Sequence, residues 1–137
     1  EKPSHKTDMK RSDIIMKEFS DLLAAHIKKE TNVDFYAEKL CISKQYLSLI
    51  VKEKLRVTIG TVISSMRIEV AARMLRDPEL TIQQVAEALS FSDQSSFGKF
   101  YKKHTGLSPL KYRQNLKKTL LTLRPKEVLS PEIRNLG

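Results

Sequence analysis

The chain of 137 residues has no tryptophan, one cysteine and four glycines, and each scarcity closes off a class of protein. A lone cysteine, Cys41, makes no internal disulfide and no cysteine-based zinc site, so it reads as a buried, inert thiol. No run of eighteen apolar residues is present, which excludes a membrane-spanning helix, and the N-terminus lacks a signal-peptide pattern. A cytoplasmic protein is expected. The three histidines, His5, His26 and His104, are not at metal-ligand spacing. No paired carboxylates, Cys/His arrangement or Gly-rich phosphate loop stands out. The reading is therefore no enzyme, no metal and no cofactor.

Acid is also in short supply. Sixteen Asp and Glu face twenty-five Lys and Arg, for a net charge of +9 and a pI near 9.7, the electrostatic footprint of a polyanion binder. Hydrophobic residues make up 40% and aromatics only 7%, which supports a modest, largely aliphatic core. Basic proteins that bind no nucleic acid are common, so charge alone leaves the partner open.

What is present is helical periodicity, punctuated twice in the same way. Thr81 is a candidate N-cap with Gln84 as its capping-box partner, and Ile82, Val85, Ala86 and Leu89 fall on one face. Ser90-Phe91-Ser92 breaks that pattern, with Phe91 placed to plug the corner. Ser92 or Asp93 can cap a second helix that ends before Gly106. That helix buries Phe97, Phe100 and Tyr101 and leaves Gln94, Ser95, Gly98, Lys99, Lys102 and Lys103 outward. Earlier in the chain, Val33 to Leu40 reads as a short helix and Cys41-Ile42-Ser43 as a turn. Ser43 then caps a helix with Tyr46, Leu47, Ile50 and Val51 inward and Lys44, Gln45, Ser48 and Lys52 outward.

These two hairpins are an internal repeat. At an offset of 49, Ala37, Glu38, Leu40 and Ser43 match Ala86, Glu87, Leu89 and Ser92. Past the turn the offset is 50, pairing Leu47 with Phe97, Ile50 with Phe100, Val51 with Tyr101 and Lys52 with Lys102. Between them Thr58 can cap a long helix to about Arg76, stopped by Asp77-Pro78. About nineteen residues at 1.5 Å each span roughly 28 Å.

The remaining segments complete an all-α fold of about seven helices, in which two helix-turn-helix subdomains are joined by a long connecting helix. Residues 1–11 are polar, begin with Glu1 rather than Met, and read as a flexible linker from a longer protein. Residues 12–57 form the first subdomain, opened by a helix from Ser12 that carries Ile15, Met16, Phe19, Leu22, Leu23, His26 and Ile27. Residues 58–76 are the connecting helix, and 77–118 the second subdomain. Leu110, Tyr112 and Leu116 suggest a basic closing helix in that subdomain, and 119–137 are a tail of illegible role.

The second hairpin resembles the second helix-turn-helix of the AraC/XylS family of bacterial transcription regulators. The likeness rests on Ile82, Ala86, Phe91, Asp93, Ser95, Phe97, Lys102, Lys103, Gly106, Pro109, Tyr112 and Arg113 standing together. Arg67, Ala71 and Leu75 fit that family's connecting helix. Departures are visible: Ser90 and Arg56 stand where the family commonly has glycine, and Lys99 where many members have arginine. The resemblance implies that one chain docks both second helices in consecutive major-groove segments of double-stranded DNA.

It also implies base contacts from Gln94, Ser95 and Lys99, and from Lys44, Gln45 and Ser48. Leu49 stands where an arginine commonly reads a base, so it either meets a thymine methyl or is packed. Phosphate contacts fall to Lys52, Arg56, Lys102, Lys103, Lys111 and Arg113. The family further implies a regulator, often an activator touching RNA polymerase, with dimerisation in a domain outside these residues; the chain itself is expected to be monomeric. The competing reading is a basic helical module for protein or RNA without sequence-specific DNA readout. Against it, every aromatic on the two second helices falls on the side expected to be buried.

Overall fold

Short polar side chains begin most of the helices. Asn32, Ser43, Thr58, Thr81 and Asp93 each sit in extended backbone and accept a hydrogen bond from an amide in the first turn that follows. Ser108 does the same for Lys111, at 3.1 Å. The computed structural model describes residues 2–122, with side chains from 10 to 119. Among these residues it is all helical, with α1 (Lys2–His26), α2 (Val33–Lys39), α3 (Lys44–Leu55), α4 (Ile59–Leu75), α5 (Ile82–Ala88), α6 (Gln94–Thr105) and α7 (Pro109–Thr122). No helix of the described residues is long and apolar enough to cross a membrane. The last part of the expected tail lies outside the described residues.

Each expected hairpin is present. Helices α2 and α3 pack on each other, as do α5 and α6, and α4 takes contacts from α3, α5 and α6, while α7 closes on α6. The apolar stripe of α1 buries Ile15, Phe19, Leu23 and Ile27 at i, i+4 spacing, and Tyr36 and Leu47 complete the first core without exposure. Val85, Leu89 and Phe97 do so for the second. At about 1.5–3 kcal/mol for each large apolar side chain withdrawn from water, this burial is what holds short helices of seven residues in place.

The turns require left-handed backbone. Cys41 and Ser90 have φ of 58° and 66°, and the helix ends Arg56 and Gly106 have 63° and 85°. Both expected departures from glycine therefore fall at positive φ, where a side chain carries a steric cost.

Three expectations are corrected. Helix α1 begins at Lys2 and not after Ser12, so residues 2–11 continue a helix in place of a flexible linker. Pro3 sits in the first turn, where its missing N–H is tolerated, and no glycine or proline interrupts the rest. Cys41 is exposed, because the left-handed turn directs it outward. Leu110 is 53% exposed, while Pro109 is buried in its place. Of the two expected caps of α6, Asp93 is the one used, one residue past the repeat partner of Ser43, which accounts for the change of offset.

Candidate nucleic-acid interface

Helix α6 takes its direction from Asp93, whose Oδ1 accepts from the Ser96 amide at 2.7 Å. The backbone and side-chain hydrogen bonds of Ser96, and then the Lys99 charge, hold the Asp93 carboxyl below its ordinary range. With Phe97 and Tyr101 buried, Gln94, Ser95, Lys99, Lys102 and Lys103 are all exposed. Ser95, Lys99, Lys102 and Lys103 recur at three- and four-residue spacing, so one ridge carries small polar groups at its start and cations toward its end.

Helix α3 presents the corresponding ridge. Ser43 Oγ accepts from Tyr46 N at 3.0 Å, Leu47, Ile50 and Val51 are buried, and Lys44, Gln45, Leu49 and Lys52 are exposed, with Ser48 half-buried. Leu49 is 53% exposed, which resolves the alternative in favour of an outward leucine. Lys44 sits 3.6 Å from Asp34, both side chains more than half exposed, a loose pair that leaves the lysine free to turn to a new acceptor. Arg56 follows the helix as its left-handed cap and is exposed. Lys111 is exposed at the start of α7.

Arg113 has a part beyond the one expected. Its Nε donates to the Leu75 carbonyl at 3.0 Å and a terminal nitrogen donates to the Asp77 carbonyl at 3.3 Å. The guanidinium thus caps the C-terminus of α4 and ties α7 to it, a structural part beside the phosphate contact expected of Arg113.

Two further residues shape this face. Arg67, on α4, lies 4.3 Å from the Phe91 ring centroid and 4.8 Å from that of Phe100. Its terminal nitrogen donates to Leu89 O at 3.1 Å while its buried Nε has no hydrogen-bond partner, and burial lowers its pKa. Phe91 is thus the expected corner plug, packed on Phe97 and Phe100 with ring centroids 5.3 Å apart in both cases. The available signal was an arginine midway between Ile63 and Ala71 on the apolar face of α4. Arg11, on α1, lies 5.8 Å from the Tyr46 ring and adds a cation beside α3, a proximity no local pattern encodes.

Two capped hairpins, each turning short polar groups and lysines outward from its second helix and both seated on one connecting helix, define a two-unit helix-turn-helix domain. Residues 36–115 match the family described as "Helix-turn-helix domain". The chain is 31% identical over 99 residues to the regulatory protein SoxS of Escherichia coli K12, a match covering 70% of this chain and 92% of that protein. The C-terminal domain of AraT, a response regulator from Geobacillus stearothermophilus, superposes with a TM-score of 0.68 at 29% identity, covering 74% of this chain and 84% of that domain. The DNA-binding domain of AdpA, solved in complex with a target DNA, has the same fold, with a TM-score of 0.69 at 16% identity over 78% of this chain and 96% of that one. The chain belongs to the AraC/XylS family of transcription regulators. It spans 30% and 14% of the length of two longer curated relatives.

Proposed function

We propose that this chain reads double-stranded DNA with α3 and α6 in two consecutive major-groove segments on one face of the duplex, and that this binding regulates transcription. The observation that carries the reading is the repeated pose: both second helices are capped, both bury their apolar side, and both expose amides, hydroxyls and lysines. Gln94 offers the bidentate pattern that suits adenine, and Lys99 can donate to guanine O6 and N7. Lys44, Gln45 and Ser48 read the other segment, where Leu49 meets a thymine methyl.

Lys52, Arg56, Lys102, Lys103 and Lys111 meet phosphates and fix the register. The seventeen residues of α4 span roughly 26 Å, a length that supports two recognition helices near one DNA turn apart, about 34 Å. The chain binds as a monomer; among the described residues the exposed large apolar side chains, Ile14, Leu49, Leu55, Val57 and Leu110, lie on four different segments, which supports that reading. A contact with RNA polymerase and a cytoplasmic setting complete the proposal.

Base readout and phosphate contact separate by mutation. Lys99→Ala is expected to cost 1–3 kcal/mol on the duplex the chain selects and little on random DNA, whereas Lys117→Ala weakens all duplexes alike. Titrations of both variants on both duplexes check this, and an equal loss on both for Lys99→Ala removes that lysine from base readout.

A further inference from the structure

The turn between α5 and α6 is anchored at three successive residues. The Leu89 carbonyl accepts from Arg67 at 3.1 Å, and Phe91 lies beneath the same guanidinium. Between them, Ser90 directs its hydroxyl out of the second unit and donates to the Lys28 carbonyl at 2.8 Å. Lys28 stands in the turn that ends α1, so this bond runs directly from the second hairpin to the first unit. The main packing between the units passes through α4. Ser90 accordingly adds a second strut that bypasses the connecting helix.

Ser90 occupies this place at a cost. Its φ of 66° is left-handed, a conformation glycine adopts without strain; its repeat partner Cys41 has the same backbone at 58°, and both residues are exposed. A strained non-glycine residue persists where the surroundings use its side chain. Here the use is on the page: the hydroxyl meets a carbonyl beyond the end of α1 that has no i+4 amide of its own helix to receive.

We infer that Ser90 is a positioning residue: its bond to Lys28 locks the two helix-turn-helix units into one rigid body. The corollary, that it thereby sets the spacing at which two DNA blocks are read, rests on the two-segment reading above. With the strut removed, the main packing that joins the units is that of α4, and the two recognition helices can swing relative to each other.

The test uses Ser90→Ala, which removes the hydroxyl and keeps the strain, and Ser90→Gly, which removes both. In the DNA-free chain, residual dipolar couplings of α3 and α6 amides are expected to fit a single alignment tensor in the wild type and two in both variants. On duplexes carrying two blocks, the wild type is expected to prefer one spacing over spacings one base pair longer or shorter, and Ser90→Gly is expected to lose at least threefold of that discrimination although its thermal stability is equal or higher. A single tensor in both variants overturns the lock. Two tensors in the variants, with no spacing preference in the wild type, uphold the lock and retire the two-segment reading. A spacing preference that survives together with two tensors overturns the corollary.

Discussion

At the end of its second helix the first unit holds Arg56 at φ 63° where the second holds Gly106 at 85°, and in the turns Cys41 at 58° answers Ser90 at 66°. The backbone is the same in both, and the side chains put on it are not. The residues at these positions are exposed in both units, and in the first α3 carries an exposed leucine, Leu49, and an acid, Glu53. In the second the turn is tied down by hydrogen bonds from Arg67 to Leu89 and from Ser90 to Lys28, with Phe91 under the Arg67 guanidinium, and α6 carries no acid after its cap. The comparison teaches that a repeated fold does not imply repeated work. On the proposed reading, the second unit holds a polar, cationic helix in one orientation, and the first supplies apolar and electrostatic contact beside it.

Removing the anchor of the second unit breaks the comparison most severely. Arg67→Ala deletes a charged hydrogen bond to Leu89 O and the stacking on Phe91 and Phe100, and is expected to lower stability by about 3 kcal/mol, read from the midpoint of urea unfolding. Base readout sharpens it next. Against the 1–3 kcal/mol expected for Lys99→Ala, Leu49→Ala is expected to cost about 1 kcal/mol or less, since a methyl contact is all it loses. Equal losses in a binding titration would mean that the two units read with equal weight.

The helix ends give a smaller, opposed pair. Gly106→Ala has open space for its new methyl, so its expected cost of about 1–2 kcal/mol is purely conformational. Arg56→Gly relieves the same strain and is expected to stabilise by about 0.5 kcal/mol, while weakening binding to every duplex and flattening the salt dependence. Thermal unfolding and titrations at two salt concentrations check both halves.

The last pair makes no difference at neutral pH. Tyr36 in the first unit and Tyr101 in the second are both pushed up to about 12 by burial, with the Glu30 charge adding for Tyr36 and Tyr112 for Tyr101. A raised folded-state pKa means the folded chain keeps protons that the unfolded one releases. Their stabilisation is therefore complete below pH 10 and is lost as pH rises from about 10 to about 12. Urea midpoints across that window are expected to fall, and to fall less in Tyr36→Phe.

Much of this was legible because it is local. Caps, stops and apolar periodicity lie within a few residues of what they determine, and so Ser43, Thr58, Thr81 with Gln84, and Gly106 could be placed from the sequence. The repeat then supplied the exposed face of each second helix. What could not be read depends on distant partners. Arg113 looks like a surface cation until Leu75 and Asp77, thirty-eight and thirty-six positions away, present their carbonyls to it. Ser90 looks like a defective glycine until Lys28, sixty-two positions away, supplies an acceptor. Residues 2–11 look like linker because they are polar, and a helix already packed farther along extends through them at little cost.

Selection of bound duplexes from a random double-stranded pool, repeated at two salt concentrations, tests the central claim most directly. Two enriched blocks about one helical turn apart, with the sharper one assigned to α6 by its loss in Lys99→Ala, are the predicted result. Binding that enriches no sequence and fades uniformly with salt would contradict it, and would leave this chain a basic helical module held to polyanions by charge alone.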